Sequence, residues 1–323
     1  MVAVVLLVVL AVCAVLLFAT PYIAVFITKV VFALPSQTPP QDYEQISRKV
    51  EVHRDIKYSS TRGRNMLDIY LPRSFEGNLP TIIWMHGGGY ITGDKKDIEH
   101  FATSLAAEGY AVVCPNYALA PGTKYPEQVR QLGEVYSFVK DSQGYGFDDK
   151  RLVLAGDSAG AHIVSQFVGA QLSSAYAQLI GVDQTVDADT IKAVLLYSGP
   201  FDFERIGTSK NTFFDFMIAR VMWAYYGTSN WREKKGFETT MKYHVTHEFP
   251  PCFITDGNTG SFERDAKELE ASLLDVGVEG ESFYIDVNTE KASHEYQFVM
   301  DSPAAVEALK RSLCFLADHV GER

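Results

Sequence analysis

The sequence predicts an α/β fold with a mostly parallel sheet, and three observations indicate it. From about residue 50 onward, segments typical of strands alternate with segments typical of helices, as in chained β-α-β units. The middle strand segments are continuous apolar runs, as expected when helices cover both faces of a parallel sheet. A sharp, glycine-bounded turn at Gly156–Gly160 lies between one such strand and an amphipathic helix. We therefore expect one large layered domain with helices on both faces of the sheet.

The predicted elements follow the hydrophobic period of each segment and are bounded by turn residues. Strands are predicted at Val50–Tyr58, Met66–Leu71, Thr81–Met85, Tyr110–Pro115, Arg151–Ala155, Lys192–Ser198, Cys252–Asp256 and Glu281–Val287. Helices are predicted at Asp97–Glu108, Pro126–Ser142, Ala159–Leu172, Phe262–Asp275 and Ser302–His319. The first two strands are expected to form an antiparallel hairpin.

The N-terminal segment is unusually apolar, because no charged side chain occurs between Val2 and Thr28. Such a run exceeds the ~20 apolar residues that span the core of a bilayer. We expect an N-terminal transmembrane helix over Val2–Ala19, continued into the membrane interface by Tyr22–Leu34, with a bend at Pro21. A cleaved signal peptide is less favoured, because the basic segment that precedes its apolar core is missing. A buried core helix is the remaining alternative.

This organisation predicts a transmembrane anchor at residues 1–34, a linker at 35–49 and the main folded domain at 50–323. The prolines between positions 35 and 40 favour an exposed, extended linker. The few basic residues that flank the apolar run do not determine on which side of the membrane the domain lies.

Composition argues against nucleic-acid binding and against a cysteine-based metal site or disulfide framework. The formal net charge is −11, and no cluster of lysine and arginine could follow a phosphate backbone, which argues against nucleic-acid binding. The four cysteines have no spacing typical of a metal site or a disulfide framework.

One segment, about 199–250, interrupts the alternation of strands and helices. It is rich in aromatic residues and methionines and is expected to form a helical lid insertion over the carboxyl edge of the sheet. Its large side chains either line an acyl pocket or pack the insertion against the body. They are Phe201, Phe203, Phe213, Phe214, Phe216, Met217, Met222, Trp223, Tyr225, Tyr226 and Trp231.

The turn at Gly156–Gly160 has the pattern G-x-S-x-G, with Ser158 at its centre. Between a strand and a helix, this pattern forms a tight bend that exposes the serine hydroxyl. Glycines on both sides are needed because a Cβ there would collide with the neighbouring strand and helix. Ser158 is therefore the candidate nucleophile, and Asp157 is expected to be a structural hydrogen-bonding residue.

A second glycine-rich turn, His86–Gly89, follows the strand predicted at Thr81–Met85. Consecutive glycines allow backbone N–H groups to point at a reacting oxygen, where a tetrahedral intermediate gathers negative charge. We expect the N–H groups of Gly88, Gly89 and Ala159 to form an oxyanion hole, and His86 to orient the loop by hydrogen bonds.

These motifs resemble the α/β-hydrolase carboxylesterases, especially the hormone-sensitive-lipase-like and feruloyl-esterase-like (BD-FAE-like) groups. The matching segments are His86–Gly89, Pro115–Pro121 with Tyr125 and Pro126, and Gly156–Gly160, and the likeness covers roughly residues 50–320. The resemblance implies an α/β-hydrolase fold with eight strands and a Ser–His–acid triad in the chain order Ser, acid, His. It also implies that no metal or organic cofactor takes part.

That chain order places the base after the last strand, where His294 lies ahead of the closing helix. The acid is where the sequence departs from the family pattern, because an ungapped comparison puts Gly260 at its position. Asp256, at the end of its strand, is the favoured candidate. Glu263, Asp265 and Asp202 are the alternatives. Loss of the acid would weaken such an enzyme without abolishing its activity, because the acid orients the histidine and stabilises its cation.

The sequence thus predicts a membrane-anchored serine hydrolase of carboxylic esters, acting on a small-molecule or lipid-like substrate. Ser158 attacks the acyl carbon and His294 transfers its proton to the leaving alcohol. An amidase such as a formamidase, a thioesterase or a lipid-directed lipase could use the same residues. A catalytically silent binding module is less favoured, since only the displaced acid points to it.

Overall fold

A computed structural model describes residues 1–32, 37–208 and 211–321, and its centre is one eight-stranded sheet. The strands are β1 Val50–Lys57, β2 Met66–Pro72, β3 Leu79–Met85, β4 Ala111–Pro115, β5 Phe147–Asp157, β6 Ile191–Tyr197, β7 Cys252–Asp256 and β8 Gly280–Tyr284. Each lies where the sequence predicts a strand. The largest difference is β5, which begins four residues earlier and ends two residues later than predicted.

The order of strands across the sheet is β1-β2-β4-β3-β5-β6-β7-β8. β1 and β2 pair antiparallel, as expected, and β2 also runs antiparallel to β4. The other neighbours, from β4 and β3 to β7 and β8, are parallel. Because parallel strands end at the same edge of a sheet, the loops that follow β3, β5, β7 and β8 meet at that edge.

Eleven α-helices occur within the described residues. They are α1 Val2–Ala19, α2 Tyr22–Phe32, α3 Tyr43–Ser47, α4 Glu99–Ala107, α5 Glu127–Asp141, α6 Ala159–Leu172, α7 Ser174–Ile180, α8 Thr212–Tyr226, α9 Trp231–Thr239, α10 Glu263–Asp275 and α11 Pro303–Val320. Short 3₁₀ helices lie at Lys95–Ile98, Gln143–Tyr145, Ala188–Thr190, Met241–Tyr243 and Tyr296–Phe298. The five helices predicted for the domain are present, with ends that differ from the prediction by at most two residues.

Alternate residues of the central strands point into two apolar layers. On one face Ile83, Leu154 and Val194 belong to a core that also holds side chains of α5, α6 and α10. On the other face Ile82 and Val153 belong to a core with side chains of α4 and α11. Full burial of each large aliphatic side chain contributes about 1.5–3 kcal/mol. Both faces of the sheet are therefore covered, which explains the continuous apolar runs in the sequence.

The N-terminal apolar run forms two helices, α1 and α2, which are separated at Thr20 and Pro21. At 1.5 Å per residue they are about 27 and 17 Å long, whereas the hydrocarbon core of a bilayer is ~30 Å thick. Within the described part of the chain, no helix has the combination of length and apolar character that a bilayer crossing requires. The transmembrane helix expected at Val2–Ala19 is therefore not found, and Leu34 lies outside the described residues.

The predicted linker at 35–49 is more ordered than expected where it is described. Thr38 forms a parallel bridge with Val299, donating to Phe298 O at 2.9 Å and accepting from Met300 N at 2.9 Å. α3 then packs beside α4. Backbone pairing of this kind fixes the segment to the C-terminal part of the domain. Positions 35 and 36 lie outside the described residues.

The aromatic-rich insertion contains α8 and α9, and most of its large side chains are buried. Tyr225 stacks on Tyr90 with ring centroids 3.8 Å apart, and Phe203 stacks on His162 at 4.2 Å. These contacts pack the insertion against the body, one of the two roles that the sequence predicts for these side chains. Phe213, at the start of α8, has by contrast 69% of its surface exposed.

Candidate active site

Ser158 lies in a strained turn between the end of β5 and the start of α6. Its backbone has φ 48° and ψ −118°, a conformation that residues other than glycine rarely adopt. The turn is held because Ser158 N donates to Tyr197 O at 2.8 Å and its carbonyl accepts from His162 N at 3.2 Å. This geometry places the hydroxyl beyond the carboxyl end of the sheet, at the N-terminus of a helix.

The two glycines of the turn have no room for a side chain. A Cβ on Gly160 would lie 2.0 Å from Met85 O, and a Cβ on Gly156 would lie 2.5 Å from the carbonyl carbon of Gly160. Real Cβ atoms essentially never approach that closely, so α6 can pass β3 only where position 160 is glycine.

Substitution of Gly160 by alanine should lower the free energy of unfolding by about 3 kcal/mol, because the backbone must move to admit the methyl group. Denaturant unfolding followed by circular dichroism measures the change. Gly63→Ala is the matched control, because no atom lies within 4 Å of its added Cβ and its backbone is not left-handed. Equal stability of the two variants would contradict the packing argument.

The glycine turn after β3 approaches Ser158 from the neighbouring strand. Gly88 has φ 103° and Gly89 has φ 58°, and a Cβ on Gly88 would lie 2.3 Å from Thr92 O. Within the described residues, the N–H groups of Gly88, Gly89 and Ala159 donate no hydrogen bond to the protein. Backbone donors left unpaired beside a nucleophile can stabilise an oxyanion.

His86 contacts the backbone of this loop and the ring of Tyr117. The buried ring stacks on Tyr117, with centroids 4.3 Å apart, and its Nδ1 lies 2.7 Å from Gly87 O. The hydroxyl of Tyr117 donates to His86 O at 2.9 Å and to Gly87 O at 3.2 Å. Burial lowers the pKa of His86 to about 4, so it is neutral at pH 7. Its contacts are those of a residue that orients the loop.

The structure brings Ser158 and His294 together, with 2.9 Å between Ser158 Oγ and His294 Nε2. His294 lies in the loop after β8, ahead of the 3₁₀ helix at Tyr296–Phe298. Burial lowers the pKa of His294 to about 4, which leaves the ring neutral and able to accept a proton at pH 7.

The other ring nitrogen of His294 does not contact a carboxylate directly. Its Nδ1 lies 2.9 Å from Ser261 Oγ, and the Ser261 hydroxyl donates to Asp256 Oδ1. Because Nε2 accepts a hydrogen bond from Ser158, Nδ1 carries the ring proton and donates a hydrogen bond to Ser261 Oγ. Four side chains thus form a chain of hydrogen bonds from the nucleophile to a buried acid. Sequence reasoning did not identify Ser261, although it adjoins Gly260, which aligns with the position of the family's acid.

Asp256 lies at the end of β7 with no solvent exposure. Burial raises its pKa to about 7, against the opposing effect of its hydrogen bond from Ser261. A small change of pH near neutrality therefore changes the charge at the far end of the chain of hydrogen bonds.

The three alternative acids are engaged elsewhere. Glu263 pairs with Lys267 at 2.7 Å on the surface of α10. Asp202 and Asp265 both pair with Arg205, at 3.0 and 2.5 Å. None of these three carboxylates has a hydrogen bond to His294 within the described part of the chain. In the same part of the chain, no group of three or more His, Cys, Asp or Glu side chains is arranged to hold a metal ion.

Asp157, inside the serine turn, accepts two hydrogen bonds from the neighbouring strand and its loop. Trp84 Nε1 donates to Oδ1 at 2.7 Å, and Gly87 N donates to Oδ2 at 2.6 Å. These are the contacts of the structural role expected from the sequence. Glu295, which sequence reasoning did not single out, places its carboxyl group beside that of Asp157.

Comparisons with known proteins agree on the fold and the type of domain. The family model described as BD-FAE matches residues 67–264. The isoprenylcysteine alpha-carbonyl methylesterase of Arabidopsis thaliana is 31% identical over 157 residues, which are 48% of this chain and 36% of that protein. The probable carboxylic ester hydrolase LipM of Mycobacterium tuberculosis is 25% identical over 217 residues, which are 64% of this chain and 48% of that protein.

The chain thus spans about a third to a half of the length of these curated relatives. Among solved structures, esterase B from Lactobacillus rhamnosis superposes with a TM-score of 0.75 at 20% identity, covering 91% of this chain and 90% of that one. A likeness at this identity shows that the two chains share a fold, in agreement with the eight-stranded sheet.

Proposed function

The chain belongs to the BD-FAE family, and from this premise we propose that it is a serine hydrolase of carboxylic esters. The observation that carries the proposal is the 2.9 Å contact between Ser158 Oγ and His294 Nε2, beside backbone N–H groups that donate to no acceptor in the described part of the chain. A hydroxyl in contact with a neutral imidazole, next to donors for an oxyanion, is the arrangement that acyl transfer needs.

In the proposed reaction His294 Nε2 takes the proton of Ser158 as Oγ bonds to the acyl carbon. The N–H groups of Gly88, Gly89 and Ala159 stabilise the negative charge that forms on the former carbonyl oxygen. His294 then returns the proton to the departing alcohol, which leaves an acyl-serine. Water attacks the acyl-serine with the same assistance and releases the acid, so that Ser158 regains its proton.

Asp256 acts in this scheme through Ser261. The imidazolium that forms during both steps donates from Nδ1 to Ser261 Oγ, and the Ser261 hydroxyl donates to the carboxylate. The negative charge of Asp256 stabilises the imidazolium through the polarised hydroxyl rather than by direct contact. The support for this role is geometric, since the other candidate acids pair with basic residues.

A second candidate, hydrolysis of lipid-like esters, is favoured by the position of the N-terminal helices. A Cβ on Gly89 would lie 3.3 Å from Cε2 of Phe32, the last residue of α2, so this helix ends beside the oxyanion loop. The exposed face of α2 is apolar, with Phe26 and Val30 each more than half exposed. This face is suited to contact the hydrocarbon part of a substrate or the surface of a lipid aggregate. Two of the relatives are named as isoprenylcysteine alpha-carbonyl methylesterases, and this name describes a methyl ester on a lipid-modified cysteine.

A substrate panel tests both candidates. We expect hydrolysis of p-nitrophenyl esters to exceed that of the matched anilides by at least about 100-fold, and a fluorophosphonate probe to attach to the peptide that contains Ser158. A rise in kcat/KM from acetate to decanoate, lowered by Phe26→Glu but not by Leu274→Glu, would favour lipid-like esters. Leu274 is a suitable control because it is exposed on α10. Preferential cleavage of the anilides would contradict the esterase proposal.

A further inference from the structure

Two carboxyl groups lie in contact beneath the oxyanion loop, and the proposed reaction uses neither. The carboxyl groups of Asp157 and Glu295 lie close enough to interact with each other. A Cβ placed on Gly87 would lie 2.4 Å from Glu295 Oε1, 2.5 Å from Asp157 Oδ2 and 3.2 Å from Ser158 Cβ. Both carboxyl groups therefore converge on one backbone position of the oxyanion loop, directly beside the nucleophile.

Two carboxylates in such contact cannot both be charged, so one of them must keep a proton. Asp157 already accepts from Trp84 Nε1 and from Gly87 N. Its oxygens are thus acceptors, and the proton that joins the two groups belongs to Glu295. Burial raises the pKa of Asp157 to about 6. Burial and the neighbouring Asp157 charge raise the pKa of Glu295 well above its ordinary value.

The other titratable groups around the pair supply no stabilising positive charge at neutral pH. His294 Nε2 lies 3.9 Å from Glu295 Oε1, but the ring is neutral above about pH 4. The phenol of Tyr117, whose pKa burial raises, also faces the pair and stays neutral. The carboxyl groups of Asp97 and Asp256 act in the opposite direction, since their negative charges raise the pKa of Glu295 further.

Glu295 also connects loops that come from different strands. It directly follows His294, has φ 58°, and its N–H donates to Ser198 Oγ at 3.2 Å in the loop after β6. Its carboxyl group reaches Asp157 in the serine turn, and Asp157 holds the loop after β3 through Gly87. One side chain therefore links the loop of the base to the loop of the oxyanion donors.

We propose that Glu295 is a positioning residue, whose proton, shared with Asp157, holds the oxyanion loop in register with His294 and Ser158. The inference rests on the proposed esterase function. The shared proton also keeps a second negative charge away from the place where the oxyanion forms. Loss of that proton would put two like charges in contact and repel the oxyanion as well.

The test compares Glu295→Gln with Glu295→Ala. The glutamine amide can donate to Asp157 at every pH, so we expect it to keep kcat within about threefold of the wild type at pH 7, whereas alanine should lower kcat on the order of 10- to 100-fold with little change in KM. The wild type should lose activity at alkaline pH as the shared proton dissociates, and Glu295→Gln should not. Glu290→Gln, in the same loop, is the control and should follow the wild type.

A denaturant-unfolding series provides a readout that does not depend on hydrolysis. Because the folded state holds a proton that the unfolded chain has released, the stability of the wild type should decrease as pH rises toward the pKa of Glu295 in the folded protein. In Glu295→Gln this pH dependence should be smaller. Identical pH profiles of activity and of stability for the wild type and Glu295→Gln would overturn the inference. So would equal loss of activity in the glutamine and alanine variants. Failure of Ser158 labelling would instead contradict the esterase function.

Discussion

Replacing Ser158 with alanine is expected to lower kcat for ester hydrolysis on the order of 10⁶-fold and to abolish labelling by a fluorophosphonate probe. The methyl group cannot bond to the acyl carbon, and the residual rate comes from the oxyanion donors and from substrate binding alone. Replacing His294 with alanine should have an effect of similar size, because the serine is a weak nucleophile without a base at 2.9 Å.

The two losses should not add. Because Ser158 and His294 act as one unit, the double variant is expected to be about as inactive as either single variant. Ser173→Ala, before the start of α7, is the control and should retain full activity, since its side chain accepts a hydrogen bond from Tyr176 N at the N-terminal end of that helix, away from Ser158 and His294. Labelling that persists in Ser158→Ala would show that another residue is the nucleophile.

Replacing Ser261 with alanine is expected to lower kcat on the order of 10²- to 10⁴-fold, with little change in KM. The substitution breaks the chain of hydrogen bonds between His294 Nδ1 and Asp256, so the imidazolium loses its link to the negative charge. Ser293→Ala, next to His294 and exposed, is the matched control and should keep its activity. An alanine variant at position 261 with the activity of the wild type would contradict the role of this hydroxyl.

Two further substitutions distinguish the role of the Ser261 hydroxyl from that of the negative charge on Asp256. Ser261→Asp would put a carboxylate in direct reach of Nδ1, and we expect at least about tenfold higher kcat than in Ser261→Ala. The pKa of Asp256 is about 7 and that of His294 about 4. Activity of the wild type should therefore rise with pH through about 7 as Asp256 becomes charged. In Asp256→Asn this rise should be lost, which the pH dependence of kcat/KM measures.

Much of the fold could be predicted from the sequence because its signals are local. Continuous apolar runs marked the strands, and a period of 3.6 residues marked the helices. The small helices α3 and α7 were missed, since five and seven residues are too few to show a period. The apolar N-terminal run was expected to cross a membrane. The break at Pro21 was expected and lies between α1 and α2, but no helix in the described part of the chain is both long and apolar enough to cross a bilayer.

The residues of the candidate site also differ in whether a local sequence pattern reveals them. Ser158 and the glycine turn after β3 are visible because each is a contiguous motif with steric requirements. The connection of Asp256 to His294 through Ser261 depends on how two loops pack, as does the contact of Glu295 with Asp157. Side chains that meet across loops more than 30 positions apart leave no local pattern in a single sequence. Only a resemblance or a structure can reveal them.

The apolar surface of α1 and α2 also determines how the protein can be handled. Val4, Leu7, Phe18 and Phe26 each expose more than 60% of their surface, close to one another along the first two helices. In plain buffer, contact between such surfaces on different molecules gains roughly 25 cal/mol for each Å² withdrawn from water. We expect purified samples to self-associate unless a detergent is present, and a mild surfactant to restore a single species in size-exclusion chromatography.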